Sequence, residues 1–157
     1  MKMRIKGIPY DNLKYNYSHM KYHFCLIAIF IISLTSAQTV RNKDPYGTPH
    51  LYVDGQTIRA KNEYGEPLFF LDGLTIRRKN QYGDPLYYID GQTIRWKNEY
   101  GDPIYYFDGK TIKSKNQYGD ALYYIEDNTL RYKNQYGEPL YYFEGLTEKW
   151  VIVCLIK

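Results

Sequence analysis

Tyr46-Gly47 recurs as Tyr64-Gly65, Tyr82-Gly83, Tyr100-Gly101, Tyr118-Gly119 and Tyr136-Gly137, each 18 residues after the last with no insertion. A strict repeat of this length confines the chain to architectures that copy one small unit. A single such unit cannot bury its own apolar face and must pack against its copies. The clearest copy reads QYGDPLYYIDGQTIRWKN, from Gln81 to Asn98.

The unit parses as a β-hairpin. Leu86-Tyr87-Tyr88-Ile89 is rich in strand formers. Asp90-Gly91 follows, and Asp-Gly predicts a type I′ turn with positive φ at both central residues. Gln92 to Lys97 then returns. Asn98 to Pro103 turns the chain into the next copy: Pro103 lacks an amide donor, and Gly101 permits a left-handed conformation. In the fifth copy the turn becomes Glu126-Asp127-Asn128, where Asn tolerates positive φ. The predicted register sets Ile89 opposite Gln92 and Tyr87 opposite Ile94. One face then carries Tyr87, Ile89, Ile94 and Trp96, and the other Leu86, Tyr88, Thr93 and Arg95.

Down the repeats, the first face builds apolar columns such as Leu51, Phe69, Tyr87, Tyr105, Tyr123, Tyr141 and Ile58, Ile76, Ile94, Ile112, Leu130. These are the expected core. The second face builds an aromatic column of Tyr52, Phe70, Tyr88, Tyr106, Tyr124 and Tyr142, beside a basic column of Arg59, Arg77, Arg95, Lys113, Arg131 and Lys149. Those two columns are the candidate ligand-binding residues, either a stacking platform for sugars or the wall of a channel for an apolar ligand. The competing reading is cross-strand packing that stiffens a half-buried sheet.

A lone hairpin is marginal in water, and an open row of hairpins leaves exposed edges. The expected fold is therefore all-β: a closed or nearly closed ring of six hairpin repeats over residues 46–157, a shallow β-barrel, with residues 38–45 as a linker. The end units differ from the middle ones, because Glu148 and Ala60 interrupt the first face. Trp150 to Ile156 is apolar on both faces and is predicted to be a buried final strand pairing with the region around His50 to Arg59.

Ahead of the repeats, Phe24 to Leu34 is an uncharged apolar run, followed by Thr35-Ser36-Ala37. A positive stretch, a short apolar run and small residues at a cleavage point define a secretory signal peptide. Residues 1–37 are expected to be that leader, with the true start at Met20, and the protein is expected to be secreted or held at the cell surface. Without residues 1–37, five of the 21 basic and one of the 17 acidic residues are gone, which leaves 16 of each. A neutral chain gives no electrostatic argument for nucleic acid or an anionic membrane. Membrane contact is expected only through an uncleaved leader.

After residue 37 the chain has one histidine (His50), one cysteine (Cys154) and one serine (Ser114). Nucleophilic catalysis needs a nucleophile, a base and an orienting group together, and no Cys/His metal spacing is present. The repeated carboxylates, such as Asp90 and Asp102, could hold calcium or act as an acid–base pair. Turn chemistry and balance against the lysines explain them better. The expectation is a non-catalytic protein with no cofactor, whose partner is a glycan, an apolar ligand or a surface protein.

Pro85 to Ile94, repeated 18 residues later, resembles the bacterial β-flower (4-fold β-flower-like) repeat family. The resemblance covers residues 46 to about 156. It implies hairpins splayed like petals around a hydrophobic channel, with no established activity. The alternating Tyr-x-x-Gly turns and short strands are also similar to YD (RHS-type) repeats, which would imply a structural repeat protein without a small-molecule ligand.

Overall fold

In the computed structural model, residues 37–145 and 147–156 are described. The expected leader, apart from Ala37, lies outside them.

Twelve strands form one antiparallel closed barrel. They are β1 Gln38–Asn42, β2 Pro49–Asp54, β3 Thr57–Ala60, β4 Pro67–Asp72, β5 Thr75–Arg78 and β6 Pro85–Asp90, then β7 Thr93–Trp96, β8 Pro103–Asp108, β9 Thr111–Ser114, β10 Ala121–Glu126, β11 Thr129–Tyr132 and β12 Pro139–Phe143. Helix α1, Lys149–Leu155, follows. Each strand pairs with its sequence neighbours, so all hairpin turns lie at one end of the barrel and all inter-hairpin connectors at the other.

The hairpin register differs from the predicted one by two residues in pairing and by nothing in facing. Ile89 lies opposite Ile94, Tyr88 opposite Arg95, and Asp90 opposite Thr93. The turn residues are therefore Gly91-Gln92, not Asp90-Gly91. Only Gly91 takes positive φ (58°), the type II′ pattern with glycine first. The fifth hairpin, lacking that glycine, puts both Asp127 and Asn128 at positive φ (48° and 61°). A shift of two residues keeps every side chain on its face, so the predicted faces stand.

Closure comes from a segment expected to be a linker. Strand β1 pairs with β2 on one side and with β12 on the other, with Val40 opposite Phe143 and Arg41 opposite Tyr142. These pairings reproduce Ile94 opposite Ile89 and Arg95 opposite Tyr88. The sixth hairpin is thus assembled from the two ends of the repeat array. The reason is local. Gln38-Thr39-Val40-Arg41 matches Gln56-Thr57-Ile58-Arg59, 18 residues on, whereas the C-terminal copy places Glu148 at the core position. Burying that carboxylate unpaired would cost several kcal/mol. Val40 fills the place instead.

The displaced C-terminal segment is not the expected strand. Residues 149–155 are helical, and Trp150, Val151, Ile152, Val153 and Leu155 are buried. They share one core with the inward faces of the strands. At the hairpin-turn end, Lys149 Nζ donates to the Gly91 carbonyl across 2.6 Å. At the connector end, Leu155 and Ile156 line a cavity with Asn42, Pro139 and Tyr141. The helix therefore runs through the lumen. A ring has no free edge to pair a thirteenth strand, so a segment inside it must satisfy its own backbone groups, which a helix does. No side chain caps its first turn, and seven residues are too few to be helical in isolation. Its apolar surface all round is what the lumen holds. Around it Val40, Ile58, Ile76, Ile94, Ile112 and Leu130 form a belt, each 0% exposed. Among the described residues, no helix is long and apolar enough to cross a membrane.

Candidate functional site

The outer wall carries the aromatic and basic columns singled out in the sequence. Tyr52, Phe70, Tyr88, Tyr106, Tyr124 and Tyr142 are all half-buried there. The basic side chains are occupied. Arg95 Nε donates to Asp90 Oδ2 at 2.9 Å and its Nη1 to the Gly101 carbonyl at 3.3 Å. Arg77 does the same with Asp72 and Gly83, and Lys113 Nζ reaches Asp108 at 2.6 Å. Arg59 and Arg131 reach the carbonyls of Gly65 and Gly137 at 3.4 and 3.3 Å. Each clasps its hairpin to the following connector. Lys149 is not the sixth member: it opens α1, with Nζ 5.3 Å from the Phe107 ring centroid. Arg41 takes the sixth position, paired with Glu144 and donating to the Gly47 carbonyl.

The lumen is equally committed. Burial pushes the Tyr105 hydroxyl up to about 12, with Tyr123 and Tyr87 adding to the rise. Burial also raises Tyr87, helped by Cys154 beside it, and burial raises the Cys154 thiol. Cys154 is thus a neutral packing residue on α1. Among the described residues, no three His, Cys, Asp or Glu side chains cluster as a metal site.

What remains is the connector end. Each connector begins with a lysine in the left-handed region: Lys43, Lys61, Lys79, Lys97, Lys115 and Lys133, with φ between 57° and 66°. Two residues after the asparagine that follows, a tyrosine amide donates back to the Asn side chain, as in Tyr100 to Asn98 Oδ1 at 3.0 Å. The first connector uses Asp44 for this bond to Tyr46, at 2.8 Å. The glycine after each tyrosine is required by space, not by a left-handed φ. A Cβ on Gly101 would collide with the Trp96 carbonyl oxygen. The result is a rigid loop that holds its tyrosine outward. Tyr46, Tyr64, Tyr82, Tyr100, Tyr118 and Tyr136 are 87–97% exposed. In the sequence these tyrosines stand as repeat markers, outside the strand alternation that defines the two faces. Their signal was present: a Tyr retained in every turn, where a small polar residue would serve.

Twelve antiparallel strands closed as six hairpins define a repeat barrel. Residues 40–153 match the family model described as 6-fold beta flower protein, and the chain belongs to that family. No curated protein and no solved structure matches the chain.

Proposed function

We propose that this is a non-catalytic binding module, exported to the cell surface, that engages a glycan through six copies of one tyrosine-bearing loop. The observation that carries the reading is the near-complete exposure of the six connector tyrosines. Neither the core nor the outer-wall clasps use these rings, so the fold alone gives no reason to retain them. The six left-handed lysines support the same reading. A non-glycine residue in that region costs roughly 1–2 kcal/mol, and such strain clusters at binding surfaces. Lysines alternate on this rim with carboxylates such as Glu63, Asp84 and Asp102. The rim therefore favours a partner recognised by stacking and hydrogen bonds over one recognised by net charge. Tyrosine offers a flat apolar face with a polar tip, which suits the C–H faces and hydroxyls of sugars. Six equivalent loops on one shallow barrel would engage a repeating polymer with high avidity even if each contact is weak. Export rests on the leader pattern of Phe24 to Ala37.

The outer-wall columns favour a second, structural role for the residues first singled out there, since their charges are spent on clasps within the ring. A glycan array probed with the purified protein and with a variant carrying alanine at all six connector tyrosines tests the proposal. Binding is expected only for the unaltered protein, with both melting alike. Equal glycan binding by the two, or none by either, overturns the reading.

A further inference from the structure

One departure from the six-fold pattern coincides with an enlarged cavity, about 710 Å³ against about 300 Å³ at the equivalent place of the next hairpin. In five hairpins the inward position nearest the connector is aromatic: Phe69, Tyr87, Tyr105, Tyr123 and Tyr141. In the hairpin of β2 and β3 it is Leu51, and the residue opposite is Ala60. The equivalent pairs elsewhere are bulkier, as with Tyr87 opposite Trp96, whose rings meet edge to face at 5.8 Å. One position before Leu51, where the other hairpins have Leu or Ile, stands His50, its ring 5.0 Å from that of Tyr141. Bulk is thus removed and a polar ring introduced at a single point of the circle.

A cavity of about 710 Å³ lies at that point, within the range of small-molecule sites. Its apolar surface comes from Pro49, Leu51, Ala60 and Leu68, and its polar surface from Asn42, Thr48, His50, Lys61 and Asn62. Among these described lining residues there is one ammonium group, one imidazole and no carboxylate. The Asn62 amide nitrogen can donate a hydrogen bond, while Asn42 Nδ2 donates to the Thr48 carbonyl and hydroxyl at 3.3 and 2.8 Å. An apolar floor beneath donors and a cation selects a molecule that is apolar at one end and anionic at the other.

We propose that this notch is a single binding site for a small amphipathic anion, with an acyl or aryl body against Leu51, Ala60 and Leu68 and a carboxylate toward Lys61 and His50. The notch takes Lys61 and Asn62 from the connector that presents Tyr64. The equivalent cavity one hairpin on, lined by Glu66, Pro67, Leu68, Phe69, Arg78, Lys79 and Leu86, is smaller at about 300 Å³ and carries a carboxylate, so one anion site is expected in the ring. Isothermal titration of the purified protein with sodium octanoate, and separately with octanol, tests it. One saturable octanoate site is expected, with octanol bound more weakly. Ala60→Trp restores the bulk that Trp96 supplies in its own hairpin and should weaken octanoate by about tenfold or more. Leu51→Tyr, which restores the ring found in other hairpins, serves as a second blocking variant if Ala60→Trp fails to fold. Lys61→Gln should weaken octanoate by a few-fold, the scale of one exposed ion pair, and leave octanol unchanged. The proposal is overturned by no saturable binding, by several equivalent sites, by octanol binding as tightly as octanoate, or by unchanged octanoate binding in a folded blocking variant.

Discussion

The side-chain amide of Gln38 donates to the hydroxyl of Thr147 across 3.0 Å, joining residues 109 positions apart. Beside it, the Glu144 amide donates to the Thr39 carbonyl at 3.0 Å. The two ends of the repeat array therefore meet at one hairpin, and the ring depends on β1. Deleting Gln38–Asn42 should leave β2 and β12 with open edges and an unfilled place in the core belt. The variant is expected to lose its sharp melting transition and to associate, in contrast to the gradual loss of an open stack. Sedimentation and calorimetry read this out. A monomeric variant with an unchanged melting profile would show that β1 does not close the ring.

Neighbouring positions on opposite faces should respond differently. Ile94 is fully buried in the belt, and Ile94→Ala should cost roughly 2–5 kcal/mol, with Ile94→Asp costing more. Arg95→Ala loses only the half-exposed pair with Asp90 and the bond to Gly101, so about 1 kcal/mol is expected. Urea titration of the three variants ranks them. Equal costs at residues 94 and 95 would contradict the facing assignment.

Two glycines of one repeat should differ for separate reasons. Gly91 needs positive φ but has nothing within 4 Å of an added Cβ. Gly91→Asn should therefore cost no more than about 1 kcal/mol. Gly101→Ala drives a methyl into the Trp96 carbonyl and should cost several times that or displace the connector. Thermal melts of both variants decide the order.

Alkaline pH should unfold the barrel through its lumen. Folded Tyr105 is raised from 10.0 to about 12. Above the unfolded value the native state therefore holds a proton that the unfolded chain releases. Its contribution is complete below about pH 10 and is lost as pH rises toward 12. Tyr105→Phe should make stability fall less steeply across that window, measured by urea midpoints at stepped pH. An unchanged slope would place the linkage elsewhere.

Relieving a left-handed lysine should separate stability from binding. Lys97 sits at φ 62°, a conformation that asparagine tolerates better than lysine. Lys97→Asn should raise stability by up to about 1 kcal/mol, and on the proposed rim should lower glycan affinity, the usual direction of such a trade. A stabilised variant with undiminished affinity would remove the lysines from the binding surface.

Much of this fold was legible in the sequence. The 18-residue period, the hairpins and their two faces followed from Tyr-Gly spacing and alternation, because the inward positions are copied in every unit. Two features were missed. The β1 match to Gln56-Thr57-Ile58-Arg59 was visible, but it precedes the first Tyr-Gly and so fell outside units counted from that mark. The Trp150 to Ile156 run is β-branched and apolar, and a short apolar run does not distinguish strand from helix. Only the absence of a free edge inside a closed ring decides it, which is a tertiary fact. The outer-wall columns read differently in the structure for a related reason. The outer-wall arginines look like an available column until Asp72 and Asp90 are seen to engage Arg77 and Arg95.

The helix in the lumen turns repeat number into a gauge. Twelve strands spaced at about 4.8 Å enclose a circle roughly 18 Å across before tilt widens it, and a helix with its side chains fills about 10–12 Å of that. Duplicating one 18-residue unit would leave every hairpin chemically intact yet enlarge the bore beyond what Trp150 and Val151 can span. Losing one would crush it. A tandem array that can lengthen or shorten by unequal copying is thereby held at a fixed integer by seven residues that belong to no repeat.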